Sequence, residues 1–235
     1  MTVAIMQPYF FPYIGYFQLI QAADRFILFN DVQYIRHGWI NRNRILKPGG
    51  GIQYIVMPLA AHARETLIKD IGIADAVNNK EKVLRQIEHY KKTAPFYKDV
   101  RALLGDCFTT SESNITEMNA GYLKAVCDYI GISYTIEISS QMNFDYTQVN
   151  DAGEWALRMS EQLQATTYIN PPGGKELFDN AKFEQSKIRL QFLQPSLKEY
   201  NQRRETFEPG LSVIDVMMFN GPAAIKDLLT DYQLV

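Results

Sequence analysis

Val3-Ala-Ile-Met-Gln-Pro-Tyr-Phe-Phe-Pro-Tyr-Ile-Gly-Tyr-Phe-Gln-Leu-Ile20 carries no charge and is punctuated only by its prolines and its glycine. Val3 to Met6 is a short continuous apolar run, the pattern of a strand buried on both faces. Pro8 and Pro12 stiffen an aromatic turn from Gln7 to Pro12, and Pro12 suits the first turn of a helix predicted from near Tyr13 to just before Asp24. Gly15 permits close approach at the start of that helix. A strand that breaks at a stiff loop and restarts as a helix leaves unpaired amides facing its own carboxyl end. Open α/β sheets place ligands there, and anions are favoured. A strand and helix that do nothing but pack give the same pattern, and the stretch alone leaves both readings open.

An uncharged N-terminal run also invites a signal peptide or membrane span. There is no basic n-region, and the prolines together with Gln7, Gln18 and Gln21 interrupt the apolar segment, so neither is expected. At 235 residues the chain is long enough to bury a sizeable core as one domain over 1–235, with a small helical lobe expected at about 78–130. A formal charge of -2 and a pI near 6.0 give no field for holding nucleic-acid phosphates, so no nucleic-acid partner is expected. Cys107 and Cys127 fall in helical patterns with no CxxC pair, which argues against a disulfide framework or a metal site and for a reducing cytoplasm.

Outward from the opening stretch, Arg25 to Asn30 reads as a second buried strand, followed by a polar, arginine-rich segment from Asn30 to Arg44 that contains Trp39 and Ile40. Lys47-Pro-Gly-Gly-Gly51 is a turn before a strand from Ile52 to Met57, which predicts a hairpin insertion near 45–60. Helical spacing covers Asn79 to Lys91, a segment from Pro95, and Asn114 to Ile130 with Gly131 as its stop. A strand at Tyr134 to Ile138 runs into Ser139-Ser140. A helix from Asp151 to Gln164 turns Trp155 and Met159 inward, and a strand at Thr166 to Ile169 meets Asn170-Pro-Pro-Gly-Gly-Lys175. Ile188 to Leu193 alternates, the Glu208-Pro-Gly210 turn precedes an apolar Val213 to Phe219, and a last helix starts at Pro222. A second hairpin-like insertion is expected near 185–210. Strands separated by helices predict an α/β fold, an open Rossmann-like and mostly parallel sheet flanked by helices, with insertions.

Four loops follow strands: Gln7 to Pro12, Asn30 to Asn43, Ser139-Ser140, and Asn170 to Lys175. If the strands are parallel, these loops meet at one edge of the sheet and form one pocket. Gln7, Tyr9, Tyr13 and Gly15 would line its floor. Asp31 or His37 would move protons, Arg42 and Lys175 would hold a phosphate or carboxylate, and Asn43 would orient the substrate. The bland alternatives are a surface ion-pair network around Asp31, Arg36 and Arg42, and a tight Pro-Gly turn with a solvated Lys175. His37, His62 and His89 are scattered without partners at ligand spacing, and no metal site is expected.

The run from Gln7 to Ile20, then Asp24, Phe29-Asn-Asp-Val-Gln-Tyr34 and Gly38-Trp-Ile-Asn-Arg-Asn-Arg-Ile45, resembles the WbqC-like family of bacterial proteins. The likeness continues through Ala165-Thr-Thr-Tyr168, Leu211-Ser-Val-Ile-Asp215 and Asn220-Gly221. It departs at Asn170-Pro171, where the family pattern has Ser-Gly. The resemblance implies a part in O-antigen or other surface-polysaccharide biosynthesis, with transfer of an amino acid such as glycine to an amino sugar. Tyr13-Ile-Gly-Tyr16 at a helix start and Ile138-Ser-Ser140 after a strand are more distantly similar to the H-x-G-H and I-S-S-T signatures of the nucleotidylyltransferase superfamily. Tyr13 and Tyr16 stand where its histidines would be, and a phenol can donate a hydrogen bond but brings no positive charge.

Two functions are carried forward. One is an amide-forming aminoacyltransferase, acyltransferase or ligase acting on an amino sugar or sugar nucleotide, with ATP as a candidate co-substrate. The other is a protein of the same pathway that binds a sugar nucleotide or a partner without turnover, its tyrosines stacking on the ligand. The aromatic content is compatible with a homodimer.

Overall fold

In a computed structural model that describes residues 1–74, 76–109 and 112–235, the opening stretch forms the centre of a six-stranded sheet. β1 (Thr2–Met6) pairs in parallel with β2 (Arg25–Leu28) on one side and β6 (Thr167–Asn170) on the other. β5 (Ile136–Ile138) pairs in parallel with β2, and β7 (Arg189–Pro195) with β6; β8 (Tyr232–Leu234) closes the far edge antiparallel to β7. The order is β5-β2-β1-β6-β7-β8. The chain therefore builds outward from β1 to β5, crosses back, and restarts beside β1. The switch point of this open Rossmann-like sheet lies between the carboxyl ends of β1 and β6.

The apolar run of β1 faces both ways. Ala4 packs into one buried cluster with Phe17 and Leu19 of α1 (Ile14–Ala22), while Val3 and Ile5 pack into another with Ala156, Leu157 and Met159 of α5 (Glu154–Gln162). A strand covered on both faces needs apolar residues at every position, which is what this run supplies. α4 (Ile115–Ile130), α7 (Val213–Phe219) and α8 (Pro222–Leu229) share the α1 face, and α6 (Asn180–Gln185) contributes Phe183 to the other.

The expected hairpin is present: β3 (Arg42–Leu46) pairs antiparallel with β4 (Ile52–Val56) in a separate two-stranded sheet, inserted in the chain between β2 and β5. α2 (Ala76–Gln86) and α3 (Tyr97–Cys107) follow it, and with α4 they bury Val83, Val100 and Tyr122 in the cluster that holds Ala4. Of the stretch at 78–130, residues 110 and 111 lie outside the described residues. The insertion expected near 185–210 is different in kind: Arg189–Pro195 is a strand of the main sheet, paired in parallel with β6 through Tyr168 and Leu190. Its alternation suggested a hairpin, but Leu193 packs into the cluster on the α1 face while Leu190 and Phe192 meet the other face, so β7 is an internal strand whose outer neighbour is the antiparallel β8. Among the described residues, no helix is long and apolar enough to cross a membrane.

Candidate functional site

The aromatic turn after β1 is held at almost every carbonyl. The Tyr16 hydroxyl donates to Gln7 O (2.7 Å), Asn119 Nδ2 to Pro8 O (2.8 Å), and Asn43 Nδ2 to Phe10 O (3.0 Å) and Phe11 O (2.9 Å). Ser212 Oγ donates to Phe11 O (2.7 Å) and the Val213 amide to Pro12 O (2.8 Å). Phe11 sits at φ 40, a backbone region that costs a non-glycine residue energy unless its surroundings enforce it. Its buried ring stacks on Tyr122 with centroids 4.8 Å apart. The turn is thus a rigid platform, and it presents Gln7, Tyr9, Pro12 and Tyr13 to a cavity of about 570 Å³.

This cavity sits at the switch point. Its walls are the β1 turn, Trp39, Asn43 and Arg44 from the arginine-rich segment, Asn170 to Gly174 after β6, and Ala152, Trp155 and Met159 at and ahead of α5. Seven aromatic side chains, among them Tyr9, Tyr13, Trp39 and Trp155, lie in the lining, and Arg44 is the one charged lining residue among those described. The Arg44 guanidinium lies 5.3 Å from the centroid of Trp39, and its Nη2 donates to Gly210 O (3.1 Å). Its Nε is buried with no hydrogen-bond partner. The Arg44 guanidinium is the cavity's cation, and a guanidinium is well matched to a carboxylate or phosphate oxygen. Burial raises the phenol pKa values of Tyr9 and Tyr13, with Tyr13 adding to the shift at Tyr9, so both face the cavity as neutral hydrogen-bonding groups.

The residues singled out in the sequence fall into five places. Gln7, Tyr9, Tyr13 and Asn43 line the cavity, although the Asn43 amide is fully engaged: besides its two donations, its Oδ1 accepts from the Arg44 amide (2.8 Å). Gly15 and Tyr16 lie behind it. A Cβ on Gly15 would fall 2.4 Å from Cε2 of Tyr13, so the glycine makes room for the Tyr13 ring. Tyr16 is fully buried with its hydroxyl on Gln7. Lys175 is at the rim: exposed, 5.9 Å from the Phe192 ring centroid, and next to the lining Gly174.

Asp31, Ser139 and Ser140 form a second constellation at the same edge of the sheet. Asp31 Oδ2 accepts from Ser139 Oγ (2.6 Å) and the Tyr146 hydroxyl (2.9 Å), and Oδ1 pairs with Lys69 Nζ (3.1 Å). Asn30 Nδ2 donates to Ser140 Oγ (3.0 Å), and the Ser140 amide to Asn30 Oδ1 (3.1 Å). Burial, and then the bond to Asp31, raise the Tyr146 phenol pKa. The Tyr146 ring lies 4.8 Å from that of Trp155, so this network backs directly onto the cavity wall. His37 and Arg42 are elsewhere. His37 is exposed at φ 66; Arg42 donates to the carbonyls of Gly38 (3.2 Å) and His37 and stacks 4.8 Å from the centroid of Tyr54. Among the described residues, no group of three or more His, Cys, Asp or Glu is placed to hold a metal ion.

Sequence reasoning passed over Arg44, Trp39 and Trp155. Arg42 and Arg44 sit on the same face of β3, and no local pattern distinguishes the one that reaches the cavity. Trp155 was expected to face inward, and it does so against the cavity.

The molecule is therefore an open Rossmann-like α/β protein with a ring-lined cavity at its switch point. The model of the WbqC-like protein family matches residues 7–227, and the chain belongs to that family. It is 31% identical over 235 residues to the uncharacterized protein Rv1507c of Mycobacterium tuberculosis, a match covering 97% of this chain and 96% of that protein. No solved structure matches the chain.

Proposed function

We propose that this protein acts in surface-polysaccharide (O-antigen) biosynthesis by holding a small ring-bearing substrate, an amino sugar or sugar nucleotide, in the switch-point cavity. The observation that carries this reading is the lining itself: aromatic faces from the β1 turn, Trp39 and Trp155, with Arg44 as the one charge among the described residues. Sugar and base rings stack on such faces, and one guanidinium fixes the orientation of an anionic group. The volume of about 570 Å³ suits a ligand of this size. Trp155→Ala should weaken binding of such a ligand in calorimetry while leaving the fold intact. An unchanged affinity would remove the cavity as the site.

A second reading is amide formation, the transfer of an amino acid such as glycine to an amino sugar. The Asp31 carboxylate favours it, because it lies at the same sheet edge with Tyr146 between it and Trp155 of the cavity wall. In this reading the sugar amine attacks the carbonyl carbon of an activated amino acid, the C–N bond forms as the bond to the activating group breaks, and Asp31 accepts the amine proton. Asp31 itself does not line the cavity, so the holding role has the stronger support. A coupled assay with ATP, glycine and a nucleotide-linked amino sugar, run with wild type and Asp31→Asn, separates the two. Absence of amide with wild type across the candidate substrates leaves binding alone.

A further inference from the structure

Two features limit the charge a ligand can carry into the cavity. The first is the lining: Arg44 is its one charged residue among those described. A desolvated anionic group needs a countercharge. One guanidinium balances one negative charge, and a second would be buried without compensation. The second feature is the start of α1. In sheets of this class a pyrophosphate rests against the glycine-rich turn after the first strand and the helix amides beyond it. Here that turn is Gln7-Pro-Tyr-Phe-Phe-Pro12, without glycine, and the close approach that Gly15 would allow is filled by Tyr13, whose ring atoms lie 2.4 to 2.7 Å from the position of a Cβ. The amide of Tyr16 is also engaged, donating to Tyr13 O (3.1 Å). Lys175 offers no second cation inside, because it is exposed and absent from the lining.

We propose that the cavity selects a ring-bearing ligand with a single negative charge, one phosphodiester or one carboxylate held by Arg44, and discriminates against pyrophosphates. This rests on the ring-binding reading above and narrows it: among sugar nucleotides, those joined through one phosphate are preferred to those joined through two.

The test is a charge series on one ring. Isothermal titration of the purified protein compares uridine, 3′,5′-cyclic uridine monophosphate and uridine diphosphate; glucuronate serves as the carboxylate probe. The cyclic monophosphate should bind at least about tenfold more tightly than uridine and than the diphosphate, as expected for a charge-assisted fork without a second cation. Arg44→Gln should abolish the advantage over uridine, and Arg44→Lys should restore part of it. If Arg44→Gln fails to fold, the wild type still decides: affinity for the cyclic monophosphate should fall with ionic strength and that for uridine should not. Arg44-dependent binding of glucuronate in place of the cyclic monophosphate supports the proposal with carboxylate as the anion. Diphosphate binding as tightly as the cyclic monophosphate, or uridine matching both, overturns the charge rule and leaves ring binding standing. Failure of all four probes to bind overturns both.

Discussion

Asn43 offers the sharpest test of how the site is built. Its side chain is 4% exposed and makes three bonds: to the carbonyls of Phe10 and Phe11, and from the amide of Arg44. In Asn43→Ala the Phe11 carbonyl keeps the Ser212 hydroxyl at 2.7 Å, but the Phe10 carbonyl and the Arg44 amide lose these partners. Each buried backbone group left unsatisfied costs about 1 to 3 kcal/mol, so the expected loss is about 2 to 6 kcal/mol. That is a large part of the roughly 5 to 15 kcal/mol by which domains are stable. A central loss of about 4 kcal/mol corresponds to a fall in Tm of roughly 8 to 16 °C for a chain of this size. Asn43→Asp should be worse, because it turns carboxylate lone pairs toward two carbonyls. Urea unfolding followed by circular dichroism measures both, with Gln33→Ala as control; that exposed amide makes one bond, to the Arg64 carbonyl, and its loss should cost under about 0.5 kcal/mol. If Asn43→Ala costs no more than Gln33→Ala, the aromatic turn is not held in the way described.

Other outcomes follow from the same geometry. Burial pushes the Cys107 thiol up to about 11 and the Cys127 thiol to about 12, so neither should react with a disulfide reagent at pH 8 until the protein is unfolded; rapid native-state labelling would contradict this. Lys182 pairs with Glu154 at 2.7 Å and holds its carboxyl down at about 2. A depressed carboxyl stabilises the fold above its unfolded pKa, and that contribution is lost as pH falls from about 4.5 toward 2. Lys182→Met should therefore lower Tm at pH 6 and flatten its decline across that window; parallel curves for the two proteins would count against the pair. Gly15→Ala puts a methyl group 2.4 Å from the Tyr13 ring and should displace that ring into the cavity, which a change in ligand affinity at near-normal Tm would report.

The strand, turn and helix of residues 3–20 were legible because every level of the sequence agrees there: apolar residues on both faces, prolines at the bends, and a helix-compatible run beyond. The hairpin was legible from its Gly-rich turn. β8 was not, since three residues at an edge carry too little pattern. The nature of β7 was obscured because an alternating pattern does not say which strand lies beside it, and here that partner is β6, about twenty residues earlier. Within the site, the convergence of loops after β1, β2 and β6 could be anticipated from parallel pairing. The separate roles of Arg42, Asn43 and Arg44 could not. Arg42 and Arg44 share one face of β3 and Asn43 lies on the other, yet Asn43 and Arg44 both line the cavity, so which of the three meets it depends on how the hairpin docks on the sheet. Asn43 has the chemistry of a substrate-orienting residue, but it lies under the turn, where backbone carbonyls take up its donors.

The chain contains two tryptophans, Trp39 and Trp155, and both line the cavity. Intrinsic fluorescence is thus a direct report on that one place. Titration with a ring-bearing monoanion should quench or shift the tryptophan emission with the same midpoint as calorimetric binding, and the change should be roughly halved in Trp155→Phe. A ligand that binds by calorimetry yet leaves the emission of both tryptophans unaltered would place the site elsewhere and contradict the account.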